Sequence, residues 1–357
     1  MMSLPLKTLL LTSALAFLGC TSPQAPAPVP GEASRAVVQG GLAERVDRFV
    51  SSEAAAGFAG SVLLAKDGEV VLHKGYGPGI TAETPFWVAS ISKQFTAAAI
   101  LKLAEQGKLS VDDPITKYFA EVPEDKRGIT IHQLLTHTAG LPQKYAADGI
   151  TDRKEAVRAL LAQPLKFTPG QGFTYSNDDY NLLAILVETV SGEPFETFLE
   201  RHLFAPAGLR QTGFWGGPGH ESVAVIPGEV SEESRRPNWG FRGATGIYST
   251  TGDLYRWHRA LQENRVLSEE SRRKLLAPHV ALGETEHAAY GWFLTSGPHD
   301  SVWTRGTEGF GHNAIVMTYP DENLVLVAAS NAGEREGVSR TRKLAADLAG
   351  LLFDAGP

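Results

Sequence analysis

Strand-forming pattern lies near both ends of this chain, with a long helical stretch between. Gly60 to Gly75 (GSVLLAKDGEVVLHKG) carries two apolar, β-branched runs around Asp67-Gly68, a dipeptide suited to the positive φ angles of a tight hairpin. Ser301 to Arg305, Gly311 to Tyr319 and Leu324 to Asn331 read as three more strands, with Pro320-Asp321-Glu322-Asn323 as the turn between the last two. Hairpin connections favour antiparallel pairing, so the two distant groups are expected to complete one antiparallel sheet of about five strands. Gly41 to Ala56 places Leu42, Val46, Phe49 and Val50 on one helical face, and Val338 to Phe353 reads as a closing helix. The stretch between reads as helices near 90–107, 131–138, 152–163, 178–191, 195–202, 252–263 and 268–277, separated by loops with Gly and Pro.

The expected class is therefore α+β. A sheet lobe (41–80 and 290–357), covered by the N- and C-terminal helices, holds an inserted, mostly helical lobe (81–289). The cleft between the lobes is the default place for a site.

Residues 1–20 stand apart from that domain. Behind Lys7, Thr8 to Gly19 is an uncharged apolar run, too short to span a bilayer as a helix but of the length of a signal-peptide core. Cys20, the only cysteine, follows at once, and residues 21–40 form a Pro/Ala-rich linker. This order resembles a bacterial lipoprotein signal. It implies lipid attachment at Cys20 and an exported protein anchored to a membrane, facing the periplasm or the cell exterior. One cysteine excludes a disulfide framework and a cysteine zinc site within the chain. Lys and Arg number 33 against 40 acidic residues, for a net charge of −7 and no basic patch, so nucleic acid is not an expected partner. No His-Glu-x-x-His occurs, His132 and His137 read as structural, and neither a metal nor a cofactor is expected. No Gly-x-Ser-x-Gly marks a nucleophile elbow.

The helix beginning near Ser90 is apolar nearly all round (Ile91, Phe95, Ala97 to Ala99, Ile100, Leu101, Leu103), the pattern of a buried helix. Ser90 and Lys93 are three apart, hence on one face and one turn apart. A lysine kept from water can lose its proton more easily and serve as base to a serine, while a helix N-terminus favours a developing oxyanion. Ser90 as a plain helix cap is the structural alternative. Ser271-Arg272-Arg273-Lys274 matches the same spacing, but its charged neighbours read as a solvated face. Tyr175 and Asn177 precede the helix from Asp178 to Ser191. They are either cap and packing or, beside the serine and lysine, a proton-transfer phenol and a hydrogen-bonding amide.

With Ser90-Ile91-Ser92-Lys93 and Tyr175-Ser176-Asn177 in this order, the chain resembles the serine β-lactamase and penicillin-binding protein superfamily, in particular the branch of class C β-lactamases, DD-carboxypeptidases and related esterases. Leu134 to Pro142 (LLTHTAGLP), Phe167 to Gly170, Gly246 to Thr251 and Tyr290-Gly291-Trp292 extend the resemblance over nearly all of 41–353. It implies a β-lactamase/transpeptidase-like fold and an acyl-enzyme on Ser90. Lys93 and Tyr175 would share acid and base duty, and the oxyanion would sit between the Ser90 N–H and one on an edge strand. The family's third motif begins with Lys or His; the best match here is Thr304-Arg305-Gly306, then Thr307. The Thr307 N–H can still serve the oxyanion. A substrate carboxylate loses its usual partner, and Arg305 would replace it only if it faced the site.

The expected activity is thus cleavage of small esters or amides. The alternatives are a DD-carboxypeptidase or β-lactamase acting on peptidoglycan-like peptides or β-lactams, and a non-catalytic binding lipoprotein on the same fold.

Overall fold

The computed structural model describes residues 36–224, 237–307 and 311–353. The signal segment with Cys20, the linker up to residue 35 and Glu308-Gly309-Phe310 lie outside the described residues.

Nine antiparallel strands form one sheet. In chain order these are β1 (Val37–Val38), β2 (Gly60–Lys66) and β3 (Glu69–Tyr76), with a second group formed by β7 (Val280–Ala281), β8 (Glu286–Ala288), β9 (Phe293–Thr295), β10 (Ser301–Thr307), β11 (Asn313–Tyr319) and β12 (Leu324–Ser330). Their spatial order is β1-β3-β2-β12-β11-β10-β9-β8-β7. The two groups join along β2 and β12, paired from Lys66 with Leu324 to Gly60 with Ser330. The sheet exceeds the expected five strands because β1 extends one edge and β7, β8 and β9 the other, each only two or three residues long. Such strands are too short to show alternation in sequence.

Alternation sorts the long strands onto two faces. Val62, Leu64, Leu72, Ile315, Leu326 and Ala328 pack with Val46, Val50, Leu344 and Leu348 of the helices α1 (Gly40–Ala55) and α10 (Arg340–Phe353). Leu63, Ala65, Ala314, Val316, Val325 and Val327 face the helical lobe. That lobe is built on α2 (Ser92–Glu105), where Phe95, Ile100, Leu101 and Leu103 are wholly buried. Each such side chain stabilises the fold by about 1.5–3 kcal/mol relative to exposure.

Around α2 stand α3 (Ile131–Leu135), α4 (Arg153–Leu161), α5 (Asn177–Ser191), α6 (Phe195–Leu199), α7 (Ala205–Ala207), α8 (Thr251–Gln262) and α9 (Glu269–Leu275). Side-chain caps start several of them: Thr130 and Gln133 form a capping box on α3, and Ser176 caps α5. A small sheet of β4 (Phe86–Trp87), β5 (Gly213–Phe214) and β6 (Ile247–Ser249), ordered β4-β6-β5, leads into the turn that carries Ser90, and a ribbon of β13 (Glu334–Arg335) and β14 (Val338–Ser339) precedes α10.

Candidate active site

Ser90 stands in a 3-10 turn, Ala89–Ile91, that opens into α2. The N-cap of α2 is Ile91, with no side-chain cap, so capping does not account for the hydroxyl. Ala89 has φ +50°, the left-handed region that residues with a Cβ rarely occupy, and this strain sits directly before the serine.

Lys93, one turn on, is 2 % exposed. Its Nζ lies 3.0 Å from Ser90 Oγ, 2.8 Å from Asn177 Oδ1 and 3.0 Å from the Ala244 carbonyl. Of these partners only the serine can also donate. When Nζ is a neutral amine, its two N–H groups go to Asn177 and Ala244, and its lone pair faces Ser90. The Ala244 carbonyl has no side-chain signature and is invisible to sequence reasoning. It is held by Asn181, whose Nδ2 donates to the Gly240 carbonyl at 2.6 Å and whose Oδ1 accepts from the Ala244 N–H at 3.2 Å.

Tyr175 and Asn177 meet this pair from the start of α5. The Tyr175 ring centroid is 4.8 Å from Lys93 Nζ. Ser176, between them, faces inward: its Oγ donates to the Pro142 carbonyl and accepts from the Asp179 N–H. Asp178 is buried beside it, and burial raises its carboxyl to about 6 although the Ala146 N–H donates to it. The structure thus brings Ser90, Lys93, Tyr175 and Asn177 together around one point.

β10 passes alongside the Ser90 turn. A Cβ at Gly306 would stand 2.1 Å from the Val88 carbonyl and 2.7 Å from the Ser90 N, so only glycine permits this approach. Thr307 and Arg305 line the cleft with Ser90. Thr304, expected to touch substrate, does not: alternation turns it inward, and it is 2 % exposed. The same alternation turns Arg305 toward the cleft. Its guanidinium lies 5.5 Å from the Trp303 ring centroid. Burial and the neighbouring guanidinium of Arg342 hold its pKa below the usual arginine value, against the opposing pull of Glu286 and Tyr175. Arg342, contributed by α10, lines the same cleft and was not legible in sequence as a site residue.

The cleft measures about 510 Å³, with Tyr145, Phe173, Phe293 and Trp303 among its walls. A larger cavity of about 690 Å³, between α8, α9 and the far end of the sheet, contains none of these groups. Neither Trp239 nor Trp215 is among the cleft walls: Trp239 lies beneath Arg242 and donates to the Thr151 carbonyl, and Trp215 stacks on Trp87 at 4.2 Å. Ser271 is buried rather than on a solvated face, while Lys274 turns outward to Glu270 at 2.9 Å, so the second Ser-x-x-Lys holds no serine–lysine contact. His312 sits just before β11 rather than within it, fully buried, with its pKa pushed down to about 4 by burial.

A family model described as Beta-lactamase matches residues 42–351. The chain is 29 % identical over 312 residues to penicillin-binding protein 4* of Bacillus subtilis, covering 78 % of this chain and 69 % of that one. It is 30 % identical over 258 residues to the putative penicillin-binding protein PbpX of the same organism, covering 69 % of this chain and 64 % of the relative. The chain therefore spans roughly two thirds of the length of these relatives. The D-amino acid amidase from Ochrobactrum anthropi SV3, solved with D-phenylalanine, superposes with a TM-score of 0.73 at 21 % identity, over 88 % of this chain and all of that one.

Proposed function

The chain belongs to the Beta-lactamase family and is a serine hydrolase, and from that premise we propose that it cleaves small esters or amides through an acyl-enzyme on Ser90. The observation that carries this reading is the placing of Lys93 Nζ 3.0 Å from Ser90 Oγ, with Asn177 Oδ1 and the Ala244 carbonyl to hold its other N–H groups, so that on losing a proton the amine can take one from the serine. In the first step Oγ attacks the substrate carbonyl carbon as its proton passes to Nζ. The oxyanion lies between the N–H groups of Ser90 and Thr307. The leaving group takes a proton by way of Tyr175 and departs, leaving an ester on Ser90. Water, deprotonated through the same groups, then releases the acid. Pre-aimed oxyanion donors contribute about 10²–10³ in rate each, and the acid–base groups about 10²–10⁴.

A second reading, amides or peptides bearing a carboxylate, is supported by Arg305 and Arg342. Both guanidinium groups border the cleft, alongside the carboxylates of Glu286 and Glu334. Together they supply the positive charge that Thr304 does not. The D-amino acid amidase similarity is compatible with this reading. Export and anchoring through Cys20 complete the proposal and rest on the sequence of residues 1–20.

The test is one panel: a short-chain aryl ester, a chromogenic cephalosporin and a D-Ala-D-Ala peptide, each with wild type and Ser90→Ala. Ester turnover that vanishes in the variant is expected. Turnover surviving in Ser90→Ala refutes the assignment, and faster peptide than ester cleavage puts the second reading first.

A further inference from the structure

His137 holds the Tyr175 segment at three points. Its carbonyl accepts from the Thr174 N–H at 3.0 Å, its Nδ1 faces the Ser176 N–H at 3.2 Å, and its ring lies against the Tyr175 ring with centroids 4.5 Å apart. The residues before and after Tyr175, and the phenol ring itself, therefore rest on one residue, the first through its backbone and the other two through its side chain. His137 is in turn fixed: its φ is +60°, and its ring also packs on Tyr180 at 5.1 Å. It is 4 % exposed and does not line the cleft, so it does not touch substrate.

Nδ1 has a second neighbour, Asp179 Oδ2, at 3.0 Å. A backbone N–H only donates, so Nδ1 meets Ser176 favourably with its single lone pair, which it then shares between Ser176 and Asp179 as a three-centre acceptor. Asp179 then approaches the same nitrogen favourably only as a carboxylic acid. Asp179 Oδ1 is buried with no donor among the described residues, which suits an uncharged acid and is costly for a carboxylate. The charged and titratable groups around the pair agree with this. Burial and the charge of Asp178 raise the Asp179 carboxyl well above its ordinary range, outweighing Lys93, while burial and Lys93 hold the imidazole well below its own. The rings of Phe173, Tyr175 and Tyr180 also lie against the imidazole.

We infer that His137 is a positioning residue for Tyr175, kept as the neutral tautomer with a bare Nδ1 between the Ser176 N–H and a protonated Asp179. The inference rests on the reading of Ser90 and Tyr175 given above.

Three variants and one spectrum test it. His137→Phe keeps a ring but removes the acceptor, and kcat for the aryl ester is expected to fall about 30- to 100-fold with KM within about twofold, the signature of a displaced reacting group. His137→Asn returns an acceptor near Nδ1 and tolerates the left-handed backbone, so it is expected to recover about tenfold of that loss. Asp179→Asn donates to Nδ1 as the acid does, and kcat is expected to stay within about threefold of wild type. The ¹⁵N shift of His137 Nδ1 in the wild-type protein is expected in the range of an unprotonated ring nitrogen. Unchanged kcat in His137→Phe, a loss in Asp179→Asn equal to that in His137→Phe, or a protonated Nδ1 each overturns the inference. Should the Phe variant fail to fold by thermal unfolding and near-ultraviolet circular dichroism, the Asn variants and the wild-type spectrum decide. Turnover by Ser90→Ala would instead remove the reading beneath it, and the two failures are separable.

Discussion

Gly306→Ala is the most informative single change at the site, because the structure fixes its cost. The added methyl would stand 2.1 Å from the Val88 carbonyl, 2.7 Å from the Ser90 N and 2.8 Å from the Ala89 Cβ. Two of these three atoms are backbone, and Ala89 is already held at φ +50°, so the turn has little freedom to yield. β10 must retreat by about 1 Å, carrying the Thr307 N–H with it while the Ser90 N–H stays on α2. A displacement of that size costs about 10²-fold, and full loss of one oxyanion donor about 10²–10³-fold, or roughly 3–4 kcal/mol. Overpacking adds about 1–3 kcal/mol of destabilisation, which the rest of the sheet absorbs through β11. The assay is kcat and KM for an aryl ester, with thermal unfolding in parallel. The expected result is kcat reduced about 100-fold or more in a protein that still unfolds cooperatively. A folded Gly306→Ala enzyme with kcat within threefold of wild type would refute the placing of the oxyanion between Ser90 and Thr307.

Further outcomes follow from other parts of the structure. Arg305→Ala and Arg342→Ala are each expected to raise KM about tenfold, about 1.4 kcal/mol, for a carboxylate-bearing amide while leaving KM for a neutral ester unchanged; equal effects on both substrates would remove these arginines from carboxylate recognition. The Asp178 carboxyl lies near 6 in the folded protein and near 3.8 when unfolded. The unfolded chain therefore loses its proton first, and folding stability should fall as pH rises from about 4 to about 6, by about 2–3 kcal/mol at most. Asp178→Asn should flatten that part of a denaturant-midpoint-against-pH curve, and an unchanged slope would contradict the assignment. Cys20→Ser is expected to abolish incorporation of labelled fatty acid and to move the protein from the membrane fraction to the soluble fraction; continued labelling would exclude Cys20 as the site of lipid attachment.

What the sequence revealed was what local periodicity and fixed spacing can encode. The hairpin around Asp67-Gly68, the strands at β10 to β12 and the helices α2 and α5 stand within a few residues of their expected positions. The spacing of Ser90 and Lys93 fixed them on one face, and Tyr175 and Asn177 met them as the order of motifs implied. The edge strands β7 to β9 escaped notice because two- and three-residue strands acquire their conformation from the neighbour they pair with. The direction of Arg305 depended on which face of β10 is buried, and that is decided by long-range packing. Arg342 and the Ala244 carbonyl were hidden for related reasons: one reaches the cleft from the last helix, and the other is a backbone group of a loop. His137 was read as structural, and what sequence did not show was that its structural work falls on the residues flanking Tyr175.

The seam between β2 and β12 also sets a timetable for folding. Lys66 pairs with Leu324, so nearly the whole polypeptide must be present before the centre of the sheet can close. Bringing those strands together closes a loop of about 260 residues, an entropic cost of about 5 kcal/mol before any pairing is gained. Until then the hairpin of β2 and β3 keeps an open edge, and β10, which carries Gly306 to the Ser90 turn, has no complete sheet behind it. Catalytic competence is therefore expected to emerge only after the last strands arrive. For a chain made from its N-terminus, that leaves a long interval in which the unclosed edge is open to pairing with another copy.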